Sequence, residues 1–72
     1  VQGTQNMTQT ELQYITDCLE TEKKAIENYT AFARETRDPE VSEICKNVAN
    51  KHQQHYNTLL QHLQNTSHIN TQ

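Results

Sequence analysis

The sequence predicts an all-α protein: an antiparallel two-helix hairpin that pairs with a second copy to form a four-helix bundle. Three observations predict it. Gly3 is the only glycine and Pro39 the only proline in 72 residues, too few of the residues that the many tight turns of a sheet protein require. Apolar residues recur every three or four positions through two long stretches, the spacing of one helix face. Only 32% of the residues are hydrophobic, so a single hairpin of this size has a thin core and is marginal alone.

Residues 1–8 are expected to be a disordered lead that ends on a helix cap. In Thr8-Gln9-Thr10-Glu11 the threonine hydroxyl can accept from the Glu11 amide while the carboxylate reaches back to the Thr8 amide, a capping box. A helix is therefore predicted over about residues 9–37. Within it Leu12, Ile15, Leu19, Glu22, Ile26, Tyr29 and Ala33 step by three and four and line one face. A flanking row of Tyr14, Cys18, Ala25 and Phe32 widens the stripe beyond a simple coiled-coil seam, as a bundle with several neighbours demands. Glu20, Lys23, Lys24, Glu27, Arg34 and Glu35 form the solvated face.

Pro39 disfavours helical geometry at Asp38. Asp38 then suits an N-cap, Pro39 the first helical position, and Glu40 the positive end of the helix dipole. A short turn at residues 36–38 should lead into a second helix over 39–65. Its apolar positions are Val41, Ile44, Cys45, Val48, Ala49, Tyr56, Leu59, Leu60 and Leu63. Beyond Leu63 the pattern dissolves, and residues 66–72 are expected to be a disordered tail.

Two such helices joined by a tight turn make an antiparallel hairpin whose apolar stripes are only partly covered. A second copy covers them, so a homodimer is expected. Cys18 lies 20 residues before Asp38 and Cys45 lies 7 after it. At the rise of a helix the two differ in height by roughly 20 Å, which excludes a disulfide within one hairpin. Both are expected to be small buried apolar residues.

The composition also excludes function classes. A net charge of −3 with interspersed signs leaves no basic stripe for nucleic acid. The longest apolar run, Ala31-Phe32-Ala33, is far short of a membrane span. Nothing at the start resembles a signal peptide, so a cytoplasmic location is expected. No nucleophile-base motif and no glycine-rich phosphate loop is present.

One constellation carries chemistry. Two histidines, His52 and His55, fill the gap in the second helix's apolar pattern, and Glu22 is the one carboxylate in the first helix's inner line. Glu22 lies 16 residues before Asp38, His52 lies 14 after it and His55 lies 17 after it. Their heights agree to within about one turn. Residues three apart share a helix face, so both imidazoles can approach the carboxylate. The set suits zinc, iron, nickel or copper. A hydrogen-bonded polar layer without metal, fixing the register of the bundle, is the expected use of these residues. His62 and His68 read as surface and tail residues. Tyr29 and Tyr56 read as aromatic filler whose hydroxyls find partners.

Glu22, followed by His52-Gln53-Gln54-His55 and by Leu59, Leu60 and Leu63, resembles half of a ferritin-like or rubrerythrin-like bundle. In that family a first-helix Glu and a second-helix Glu-x-x-His bind iron. His55 matches the motif histidine and Glu22 the first-helix carboxylate. His52 replaces the motif glutamate, and bridging two irons needs carboxylates. Residues 17–24, Tyr29, residues 35–40 and His52 to His55 are more closely similar to the spore coat protein F family, a ferritin-like group of Gram-positive spore formers. The resemblance covers residues 11–63. It implies a structural, self-associating spore-coat protein with no catalysis and no cofactor, whose partners are its own copies and other coat proteins. The alternative it leaves is a ferritin-like protein that binds Fe or Zn through Glu22, His52 and His55.

Overall fold

Two helices joined by a three-residue turn make up the chain: α1 (Gln9–Glu35) and α2 (Pro39–Asn70). A computed structural model describes the backbone of residues 7–70 and the side chains of residues 7–65. No strand occurs among the described residues, and the helices pack against each other as an antiparallel hairpin. The predicted all-α hairpin is the observed fold.

The local signals act where the sequence places them. Thr8 Oγ1 accepts from the Glu11 amide and Glu11 Oε1 accepts from the Thr8 amide, each at 3.0 Å. That reciprocal pair satisfies two of the amides left open at a helix start. Asp38 Oδ1 accepts from the Glu40 amide at 2.9 Å and from the Val41 amide at 3.3 Å, and so caps α2. Helix α1 ends at Glu35, two residues before the expected position. Thr36 takes an extended backbone (φ −73°, ψ 145°), and its hydroxyl accepts from the Asp38 amide at 3.2 Å. Ser42 of α2 reaches back over the turn and donates its hydroxyl to the Ala33 carbonyl at 2.8 Å. Ala33 is in the last turn of α1, where carbonyls lack helical partners.

At its far end α2 runs on to Asn70, past the point near residue 65 where the apolar pattern lapses. The expected disordered tail over residues 66–70 is therefore helical backbone. The remaining tail, residues 71–72, and the lead, residues 1–6, lie outside the described residues.

The core is narrow. Ala33, Cys45 and Ala49 are its buried members, all near the turn, and their small side chains let the two helix backbones approach. Ile15, Leu19, Ile26, Tyr29, Val48, Tyr56, Leu59, Leu60 and Leu63 are half-buried between the helices. Among the described residues no side chain is fully buried. Cys45 is buried as expected. Cys18 is exposed, contrary to expectation, because it belongs to the flanking row, which a single neighbouring helix does not cover. Both thiols are free. The molecule is a rod of 51 × 19 × 15 Å, about two helices thick.

Candidate functional site

The inner line of α1 and the apolar gap of α2 meet at mid-height, where the hairpin holds its one polar layer of metal-ligating side chains among the described residues. Glu22 projects from α1, and His52 and His55 from successive turns of α2. Their similar distances from the turn, equal to within about one helical turn, bring the three together, as the height arithmetic predicts. Glu22 Oε1 is 2.5 Å from His52 Nδ1, and Glu22 Oε2 is 3.5 Å from His55 Nδ1. One carboxylate thus addresses both imidazoles with separate oxygens.

The layer is graded from inside to outside. The Glu22 side chain is 19% exposed, His52 30% and His55 60%. The carboxylate therefore sits in the helix interface, His52 at its border and His55 at the mouth. Lys51, the neighbouring cation, is exposed. Two rings orient His52. Tyr29 lies parallel to it, with centroids 6.0 Å apart and planes 11° apart. His55 meets it edge-on at 5.7 Å and 90°. Tyr29 in turn contacts Phe32 edge-to-face at 6.3 Å. These separations fall in the range of favourable aromatic pairs.

Tyr29 is the neighbour that the sequence reading assigns to general core filling and that the structure assigns to His52. The signal lay in the direction of the side chains. Tyr29 follows Glu22 by seven residues on the same row, and helical side chains tilt towards their own N-terminus. In an antiparallel pair, Tyr29 and His52 therefore lean towards each other.

Chemically, the layer offers two imidazole nitrogens and one carboxylate on the side of a rod, open to water at His55. Among the described residues no helix is long and apolar enough to cross a membrane.

No curated protein and no solved structure matches the chain. The sequence pattern of the Coat F domain does, over residues 10–72. That span holds both helices, the Asp38-Pro39 turn and the Glu22, His52 and His55 layer, and on it the chain belongs to the Coat F domain family.

Proposed function

We propose that this chain is a structural, self-associating unit of the spore coat, in which two hairpins pack side by side as a four-helix bundle. Membership of the Coat F domain family supports the coat role. The observation that carries self-association is the apolar surface that a lone hairpin leaves open. Tyr14, Cys18 and Phe32 of the α1 flanking row are exposed, as are Val41 and Ile44 of α2. Phe32 and Ile44, 57% and 56% exposed, each stand six residues from Asp38 and so lie at equal height beside the turn.

Size favours a second copy as the occupant. The radius of gyration is 16.0 Å, against about 11 Å for a compact chain of this length. The chain exposes 5681 Å², roughly 1,000 Å² more than a compact monomer of its size. A standard protein interface removes about 800 Å² from each partner, so one like partner accounts for most of the excess. A rod two helices thick and without a fully buried side chain gains its missing layer from an identical rod, and a two-fold pairing closes without leaving an apolar edge for fibres.

Sedimentation equilibrium on the purified protein tests the reading. The expected result is twice the chain mass, with a shift to the single-chain mass for Phe32→Glu and Ile44→Glu. A well-folded single copy at every concentration would overturn it.

A further inference from the structure

We propose that Glu22, His52 and His55 bind one divalent cation of the zinc class per chain. The site stands apart from the self-association argued above, because all three ligands come from a single hairpin.

Geometry is the first support. Each of the three side chains offers one ligand atom, and these atoms all lie within 4.8 Å of one another. Ligands of a tetrahedral zinc stand about 2.0–2.2 Å from the ion, and hence roughly 3.4 Å from each other. The Glu22 Oε2 to His55 Nδ1 separation is already 3.5 Å. The Glu22 Oε1 to His52 Nδ1 contact is a hydrogen bond at 2.5 Å. Each residue gives the ion one ligand atom, so with Oε2 as the carboxylate ligand this hydrogen bond gives way to the ion. The widest separation closes by about 1.4 Å. Rotations of three half-buried or exposed side chains supply such movements without displacing either helix.

The donor set selects the ion. Two imidazoles and one carboxylate form a borderline set suited to zinc, with a fourth position left for water. The same set does not fit the carboxylate-bridged pair of irons that a ferritin-like resemblance would imply. Glu22 is the only carboxylate in the cluster, and one carboxylate cannot both bridge and flank two metals. His52 stands where a second carboxylate would be needed, so the exchange converts a two-metal pattern into a one-metal pattern.

Support and access complete the site. Tyr29 stacks on His52 and limits rotation of its ring, as groups around a metal ligand commonly do. His55, 60% exposed, opens the layer to solvent, so an ion reaches it without unfolding of the hairpin.

The test uses the full, untagged chain, freed of metal with a chelator and then titrated with zinc chloride by calorimetry. The expected result is one zinc per chain and a raised melting temperature. His55→Ala, at an exposed position and therefore compatible with folding, should weaken zinc binding about tenfold or more, and Glu22→Gln should do the same. His62→Ala, a control at an exposed position ten residues from His52, should bind as the unaltered chain does. Absence of stoichiometric uptake would overturn the proposal, and so would equal losses for His55→Ala and His62→Ala. Chain mass in chelator, measured on the same samples, reports self-association separately, so failure of one reading is distinguishable from failure of the other.

Discussion

Glu22 and His52 are 30 residues apart in the chain, yet Glu22 Oε1 and His52 Nδ1 stand 2.5 Å apart across the hairpin. The contact ties the register of α1 against α2 at one height. A slip of either helix by one turn, about 5.4 Å, would leave the carboxylate among apolar side chains. Burying an unpartnered charge is costly, so this pair opposes the slipped arrangements that an apolar stripe by itself tolerates.

Glu22→Ala should therefore lower stability by about 1–2 kcal/mol, since His52 loses its hydrogen-bond partner and His55 a nearby carboxylate while both remain partly wet. Replacing both partners by apolar residues removes the polar groups together and is often neutral or favourable. The double variant Glu22→Leu/His52→Leu should accordingly match or exceed the parent. Urea unfolding in the presence of chelator, at one fixed protein concentration, makes the comparison. A double variant weaker than Glu22→Ala would show that the pair contributes shape rather than charge.

The turn is held from both sides by side chains. Asp38 caps the amides of α2, and Ser42 satisfies the Ala33 carbonyl at the end of α1. Asp38→Ala should cost about 1 kcal/mol through the lost cap. Ser42→Ala should cost about 1 kcal/mol through an orphaned, half-buried carbonyl. The two groups serve different helices, so their effects should add to within about 0.5 kcal/mol. Denaturant midpoints of the two single variants and the double variant provide the check.

Much of this was legible in the sequence because it depends on local rules. A capping box and an Asp-Pro pair act within four residues, and both form as written. The meeting of Glu22 with the histidines followed from a fixed helical rise counted from one sharp turn. What escaped depends on how far around each helix its partner reaches. Periodicity puts Cys18 in an apolar row, but one neighbour covers only the inner line, so Cys18 is exposed. Apolar spacing likewise marks where packing stops and not where the backbone stops. Helix α2 continues beyond Leu63 through residues that need only their own backbone hydrogen bonds. The end of α1 moved by two residues because the Thr36 hydroxyl binds the Asp38 amide, a local competition that apolar spacing does not record.

Close approach near the turn rests on small residues. Ala33 and Ala49 are both only 8% exposed, so a larger side chain there meets the facing helix. Ala49→Leu should destabilise by about 1–3 kcal/mol through overpacking. In a domain of this size that corresponds to a drop in melting temperature of about 4–8 °C for each kcal/mol. Ala25→Leu, at a half-buried position in the flanking row, should be tolerated. Thermal melts of the two variants separate a tight contact from a loose one. Equal losses would mean that both rows are packed alike.

The two free thiols report on the same difference from outside. Cys45 is buried between the helices and Cys18 is exposed in the flanking row, which also carries the exposed Tyr14 and Phe32. A thiol reagent should therefore modify Cys18 in the native protein and reach Cys45 only when the helices separate. If a second hairpin covers the flanking row, the rate at Cys18 should fall as protein concentration rises through the dimerisation range. Phe32→Glu should abolish that dependence without exposing Cys45. Mass spectrometry of samples quenched over time reads both sites at once. Simultaneous labelling of the two cysteines would mean that the helices part as readily as the copies do. A Cys18 rate independent of concentration in a protein of dimeric mass would place the pairing surface on another face of the rod.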